Sequence, residues 1–143
     1  MRREDIQVLR DVQKNAELAM KALDTVADKV YDDDLAMQLS RQSLKYAQLR
    51  SQAVDKLLSA KLEPARANTV EGMLVAGGIH KDTLFNTSTS HIAELVIQES
   101  SRKISKLCQS LHRYENAEDD VVEMAREFMD FEETNIRQLR KFL

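Results

Sequence analysis

Glycine and proline are confined to one part of this chain, and this restricts the folds open to it more than any other feature. All three glycines lie within residues 69–99, and the only proline, Pro64, lies just before them. The long stretches on either side repeat apolar residues at alternating steps of three and four, as a helix with one buried face does. An all-β fold would need many more turns. The sequence therefore predicts an all-α protein.

Length, charge and composition add broader limits. The 143 residues are enough for a core, and we predict a single domain over residues 1–143. The net charge is −3 and aromatic residues make up 5% of the chain, so no basic or stacking surface points to a nucleic-acid partner. No apolar run follows Met1 and none is long enough for a membrane span. With only one cysteine, the expected location is cytoplasmic.

Five helices are predicted, over residues 5–30, 35–61, 70–85, 89–114 and 117–142. An aspartate of residues 32–34 is expected to cap the second helix, and Pro64 to end it. Asn68 is expected to cap the third helix and Asn116 the last one. The polar run 86–90 is expected to separate the third helix from the fourth, because its side chains compete for helical hydrogen bonds and favour helix caps.

The connections between these helices predict how they are arranged. The short joints 31–34 and 115–116 favour two antiparallel helical hairpins. The third helix is short, apolar and rich in small residues, and it is expected to cross between the hairpins. Its glycines, Gly72, Gly77 and Gly78, are expected to allow close backbone approach. Two hairpins joined by one long crossover form an up-down-down-up four-helix bundle.

Polar residues interrupt the apolar stripes at the middle of the helices, which predicts a buried polar layer that fixes their register. The predicted layer consists of Gln42, Lys45, Ser100, Glu132 and Asn135. Lys45 or Arg102 is expected to supply a counter-charge, because a lone buried carboxylate is unfavourable. If Gln42 and Asn135 form a buried pair, replacing both by leucine should be tolerated better than replacing either one.

This layout resembles the ferritin-like superfamily, and more closely its short bacterial members that lack the full di-iron ligand set. In di-iron members, two helices each give a glutamate and two give Glu-x-x-His. Here Glu132-Glu133-Thr134-Asn135 has asparagine in the histidine position, and the second helix offers Gln42-Ser43-Leu44-Lys45. The resemblance therefore implies a bundle without a complete metal site or cofactor, serving as a structural or protein-interaction module rather than an enzyme.

Two alternatives to this interpretation remain open. The first is a divergent di-iron or manganese carboxylate protein that handles peroxide or oxygen. The metal ligands that the resemblance implies for it are Glu17, Glu94, Glu99 and Glu132. The second is a spore-coat or envelope-associated bundle, since some coat proteins share this layout.

The chain has more apolar residues than one four-helix core needs, which predicts self-association. The interface is expected on the crossover helix and the residues that follow it, at Met73, Leu74, Ile79, Leu84 and Phe85. Ile6, Met20 and Phe131, which lie off the main stripes, add to the apparent surplus.

The remaining candidate residues give no motif that points to an enzyme. His80 and His91 could share a helix face, with Glu94 close to His91, but roles in capping or on the surface are favoured over metal binding. His112 is expected to be solvated, and Cys108 to lie in the core. The chain has neither a phosphate-binding glycine loop nor a Cys-x-x-Cys motif.

Overall fold

The computed structural model describes residues 1–67 and 69–143, and within them it contains helices and no β-strand. The helices are α1 (Arg3–Val26), α2 (Asp33–Ser59), α3 (Thr69–Asp82), α4 (Thr89–Arg113) and α5 (Asp119–Leu139), with 3-10 turns at Ala27–Lys29 and Arg140–Phe142. The prediction of an all-α fold is therefore confirmed, and the five predicted helices each lie within a few residues of an observed one.

Two of the predicted helix caps are present. The Asp32 carboxylate accepts a hydrogen bond from the Leu35 N–H at 2.9 Å at the start of α2. The Ser88 hydroxyl accepts one from the His91 N–H at 3.3 Å at the start of α4. Each cap satisfies one of the free N–H groups of a first turn. The predicted cap at Asn68 lies outside the described residues.

The end of α2 comes earlier than Pro64 predicts, because a local turn closes the helix first. The Lys61 N–H donates to Leu58 O and the Leu62 N–H donates to Leu57 O, both at 2.9 Å. Lys61 has a φ of 60°, in the left-handed region. This is a Schellman motif, in which the residue after the C-cap takes up the left-handed conformation that glycine favours.

The start of α5 is held by α1 and not by Asn116, so the predicted cap is wrong. Glu118 occupies the N-cap position and makes no capping bond with its own side chain. Its N–H donates instead to the Asp5 carboxylate at 2.7 Å. The Asn116 N–H donates to Glu4 at 2.8 Å. The first turn of α1 thus closes the joint between α4 and α5.

A glutamine of α1 holds the link between α2 and α3. The Gln13 side-chain amide is buried and pairs twice with the backbone of Ala65. Its oxygen accepts from the Ala65 N–H at 2.7 Å, and its nitrogen donates to the Ala65 carbonyl at 3.1 Å. Arg10 donates to the Glu63 carbonyl nearby at 2.8 Å. The link therefore runs along α1 on the way to α3.

Pairs of contacting residues give the directions of the four long helices. In each of three helix pairs, an early residue of one helix lies beside a late residue of the other. Between α1 and α2, with the link that follows α2, the pairs are Arg10–Glu63 and Glu17–Arg50. Between α2 and α5 they are Gln38–Gln138 and Lys56–Asp120. Between α1 and α4 they are Asp11–Ser110 and Val26–Leu95. It follows that α2 and α4 run in one direction and α1 and α5 in the other.

The apolar core is built from all five helices, with α1 in contact with each of the other four. Its largest buried side chains include Phe128, Leu9, Leu35, Leu49 and Leu107. Ile6, Met20 and Phe131 pack against this core. They are therefore part of the fold and not a surplus for self-association.

The helix α3 lies against α1 and presents most of its surface to solvent. Ile79 is its only buried helical residue among those described, and Thr83 is buried just beyond its end. A Cβ atom added at Gly77 or Gly78 would meet nothing within 4 Å, and one added at Gly72 would meet only the Lys21 side chain, at 3.9 Å. The prediction that the glycines allow close backbone approach is therefore wrong. None of the helices in the described ranges has both the length and the apolar character of a membrane span.

Candidate functional site

A buried carboxylate, Glu132, lies at the centre of the molecule and collects donors from three helices. Its side chain is fully buried. The Oε1 atom accepts hydrogen bonds from the Tyr46 hydroxyl at 2.5 Å, the Asn135 amide at 2.8 Å and the Ser100 hydroxyl at 3.1 Å. These donors come from α2, α5 and α4. We call Glu132 and these three partners the central layer.

The position of Glu132 and Asn135 follows directly from the sequence of α5. The buried residues of this helix recur at steps of four and three, which places them on one face. They are Val121, Ala125, Phe128, Glu132, Asn135 and Leu139. The structure thus places Ser100, Glu132 and Asn135 together, as the stripe pattern predicts.

Tyr46 is the member of the central layer that the sequence reasoning missed. The spacing of apolar residues in the second helix places Tyr46 on its apolar stripe, and most of a tyrosine side chain is apolar. A buried tyrosine hydroxyl usually has a hydrogen-bond partner, and that was the available signal. Its ring packs against Phe131, edge to face with centroids 5.2 Å apart, and against Phe128 at 5.8 Å. Burial, followed by the charge of Glu132, raises the pKa of Tyr46 well above its ordinary value.

The cation near the central layer is Lys103 and not Lys45 or Arg102. The Lys103 side chain is only 3% exposed, and its Nζ lies 3.5 Å from the Glu99 carboxylate. Lys45 instead pairs with Glu127 at 2.8 Å, and Arg102 pairs with Glu99 at 2.5 Å. Lys45 therefore joins α2 to α5 near the protein surface, and the prediction that it belongs to the buried polar layer is wrong.

The buried face of α4 is rotated about the helix axis relative to the predicted one. The apolar pattern predicts the stripe Ala93, Ile97, Ser100, Ile104, Leu107, Leu111 and Tyr114, of which Ala93, Ser100 and Leu107 are buried and the other four are only partly buried. The observed buried face keeps Ser100 and Leu107 and adds Val96, Lys103 and Ser110. The same rotation leaves Cys108 exposed. The prediction that Cys108 lies in the core is wrong.

Burial and charge act in opposite directions on the two ionisable groups. Burial raises the pKa of Glu132 above its ordinary value of 4.5, although its hydrogen bonds and the charge of Lys103 favour the ionised form. Burial lowers the pKa of Lys103 below 10.5, while the charge of Glu99 opposes this change. Both shifts express the unfavourable transfer of a charge out of water. Lys103 therefore offsets part of the penalty for burying Glu132.

Three buried polar atoms beside these bonds have no partner among the described residues. They are the second oxygen of Glu132, Oε2, and both amide atoms of Gln42. Gln42 makes no hydrogen bond with Asn135, whose amide nitrogen is used by Glu132 and, at 3.4 Å, by Tyr46. The predicted Gln42–Asn135 pair is therefore not formed. A buried polar atom without a partner is unfavourable by about 1–3 kcal/mol.

A narrow cavity reaches the central layer between α1 and α4. Tyr46, Ser100, Glu132, Glu99 and Lys103 form its polar part, and small and aliphatic residues line the rest. Its free volume is about 10 Å³, which is roughly what one water molecule needs (~10–15 Å³). The cavity therefore has space for a water molecule and none for an organic substrate.

The side chains present do not fit a di-metal centre. Within the described residues, no three His, Cys, Asp or Glu side chains form a group that could hold a metal ion. Of the four carboxylates considered as ligands, Glu17 pairs with Arg50 at 2.6 Å and Glu94 is exposed. Glu99 and Glu132 line the same cavity, but Glu99 contacts Arg102 and Lys103, and Glu132 accepts its hydrogen bonds from the central layer. A divalent cation beside Glu132 would also be repelled by the Lys103 ammonium.

The histidines do not form a site. The His91 ring nitrogen Nε2 lies 2.8 Å from the Asp82 carbonyl, so His91 connects the end of α3 to the start of α4. His80 is exposed on α3, and His112 is exposed on α4. These positions agree with the favoured roles in capping and on the surface.

Most of the residues expected at an interface are exposed. Met73, Leu74, Leu84 and Phe85 are all more than two-thirds exposed, and Phe85 reaches 96%. Ile79 is buried against the core and does not belong with them. We call the four exposed residues the α3 patch.

In comparisons with protein-family models, curated proteins and solved structures, the chain matches none of them.

Proposed function

We propose that this chain is a ferritin-like bundle of four helices crossed by α3, and that it serves as a structural or interaction module that binds to itself and holds no metal. The helix directions support the bundle, because α1 and α5 run opposite to α2 and α4. This is the up-down-down-up order, which needs one long crossover between the second and third long helices. The link along α1 and the helix α3 supply that crossover.

The observation that carries this proposal is the buried Lys103 ammonium beside Glu99 and the central layer. In a carboxylate-bridged metal centre, the metal ions neutralise the buried carboxylates. Here a side chain of the protein supplies positive charge instead, and hydroxyl and amide groups fill the remaining places around Glu132 Oε1. The centre is thus arranged to hold the helices in register rather than to bind a cation.

Exposed apolar side chains support the interaction part of the proposal. The α3 patch is joined by Val70 on the same helix, and α2 adds Met37, Leu44 and Leu58, all more than half exposed. Single exposed apolar residues are normal on a protein surface, but several exposed large apolar side chains on one helix and the turn after it favour a surface that binds a partner.

Metal analysis tests the metal-free centre. Protein purified without chelators should contain less than about a tenth of an atom of iron or manganese per chain and should show no thermal stabilisation when Fe(II) or Mn(II) is added. Glu132→Gln is the control, because binding at the surface would persist in that variant. Stoichiometric metal, or a thermal shift that disappears in Glu132→Gln, would overturn the proposal.

Sedimentation tests self-association. At micromolar concentration the chain should sediment as a dimer or larger species that dissociates on dilution. A monomer across the whole accessible concentration range would remove this part of the proposal.

A further inference from the structure

The helix α2 has a buried face and, opposite it, a largely exposed face without charged residues. The inner face is buried and consists of Leu35, Gln38, Leu39, Gln42, Tyr46, Leu49, Ala53 and Leu57. The opposite face repeats uncharged residues at alternating steps of three and four. They are Met37, Ser40, Leu44, Ala47, Ser51, Val54 and Leu58. We call this second set the outer α2 stripe.

The outer α2 stripe has the features of a helix-packing seam. Steps of three and four are the spacing by which two helices pack along their length. Met37, Leu44 and Leu58 are 60%, 73% and 54% exposed, so no other part of the described chain covers them. The residues between them are small, which lets a second helix approach closely. The stripe runs for about 32 Å along the helix at 1.5 Å per residue.

Beyond the two aspartates of its first turn, the charged residues of α2 divide into two groups. Lys45, Arg50 and Lys56 each pair with a carboxylate of another helix in the same chain. Arg41 and Asp55 are exposed and form no ion pair or hydrogen bond with any described residue. These two residues lie along the same edge of the outer stripe, seven residues before and seven residues after Gln48.

We propose that a second copy of this chain packs antiparallel on the outer α2 stripe, about a two-fold axis near Gln48. Arg41 then lies beside the partner's Asp55, and Asp55 lies beside the partner's Arg41. A two-fold interface uses the same patch on both copies, so it must be complementary to itself. An uncharged seam with opposite charges placed symmetrically about its centre meets this requirement. Parallel packing would bring Arg41 level with the partner's Arg41 instead.

The inference rests on the proposed self-association and assigns it to α2 rather than to the α3 patch. Leu44→Glu places a charge in the middle of the stripe and should abolish the dimer. The matched control is Leu74→Glu, at a similarly exposed leucine of the α3 patch, which should leave the dimer intact. Both side chains point to solvent, so circular dichroism and melting should show a folded chain in each case.

The charge pattern gives a sharper test of the antiparallel arrangement. Arg41→Asp and Asp55→Arg each replace two attractive contacts by two repulsive ones and should weaken the dimer by about tenfold at low salt. Mixing the two variant proteins should restore association, because the heterodimer regains an opposite pair at both ends. Sedimentation of each variant and of the mixture, with one protein labelled, measures this.

The outcomes separate the two proposals. A wild-type monomer at every concentration would overturn both. A dimer that survives Leu44→Glu and is lost in Leu74→Glu would overturn the α2 assignment and leave self-association standing. A dimer that survives both substitutions would also overturn it. Failure of the mixed charge variants to associate would overturn the antiparallel arrangement.

Discussion

Asp5 and Glu132 are both fully buried carboxylates, yet their surroundings differ completely. Both oxygens of Asp5 are used: one accepts from the Glu118 N–H at 2.7 Å and the other from the Arg2 N–H at 3.0 Å. Glu132 concentrates three side-chain donors on one oxygen and leaves the other without a partner in the described chain. The carboxylate at the joint between α4 and α5 is therefore fully paired with backbone N–H groups, whereas the carboxylate of the central layer keeps one oxygen without a partner among the described residues.

The largest expected effect on stability comes from removing the Asp5 carboxylate, which closes the joint between α4 and α5. Asp5→Ala removes the acceptor for two backbone N–H groups and should lower the free energy of unfolding by about 3 kcal/mol. Urea denaturation followed by circular dichroism measures it. Asp32→Ala, which removes an ordinary helix cap, is the control and should lower the free energy of unfolding by only about 1 kcal/mol. Equal losses would show that Asp5 is no more than a cap.

The centre should respond unequally to the loss of its two amides. Asn135→Leu takes a donor from buried Glu132 and should be destabilising by about 2 kcal/mol. Gln42→Leu removes an amide without partners and should be neutral or stabilising by about 1 kcal/mol. The two changes should add in the double variant, because the side chains are not hydrogen-bonded to each other. If the double variant is less destabilised than the sum of the two single variants, Gln42 and Asn135 interact with each other after all.

A pH titration should distinguish Glu132 from other carboxylates. The pKa of Glu132 is raised on folding, so its contribution to stability is fully present below 4.5 and is lost as the pH rises through the folded-state value. The slope from this one group is at most about 1.4 kcal/mol per pH unit. The stability of the wild type relative to Glu132→Gln should therefore fall as the pH rises above 4.5. A constant difference between the two proteins would contradict the raised pKa.

The smallest expected effect on stability concerns the turn that ends α2. Lys61 adopts a φ of 60° at the end of α2, where glycine carries no steric penalty. Lys61→Gly should raise the free energy of unfolding by about 0.5–1 kcal/mol. Lys61→Ala is the control and should give no gain, because alanine retains the Cβ atom. A gain in the alanine variant would point to the lysine charge instead.

Periodicity and local capping were sufficient to predict much of the fold. The steps of four and three in α5 placed Glu132 and Asn135 on one buried face, and Asp32 and Ser88 cap helices where short-range chemistry predicts. The Asp5 contact could not be found in this way. Its acceptor and the Glu118 donor are 113 residues apart, and an acidic residue in a first turn is expected of any helix.

The errors at the centre have a different physical origin. In α4 the apolar residues Ile97 and Ile104 lie beside Val96 and Leu107 on the helix surface, so the apolar pattern is compatible with more than one rotation of the helix about its axis. Packing against α1 and α5 selects the rotation that buries Lys103 and exposes Cys108. A lysine can take this position because its long apolar stem is compatible with the core. Local sequence alone does not contain that choice.

The two-point pairing of Gln13 with Ala65 makes the crossover sensitive to a very small chemical change. Deamidation at this position would exchange one nitrogen for oxygen. A carboxylate would then face the Ala65 carbonyl, 3.1 Å from the present nitrogen, and the Glu17 carboxylate, 3.4 Å from it. The two hydrogen bonds donated by the amide nitrogen would then be replaced by repulsion between oxygen atoms. Deamidation of Gln13 alone would therefore weaken the attachment of the link between α2 and α3 to α1.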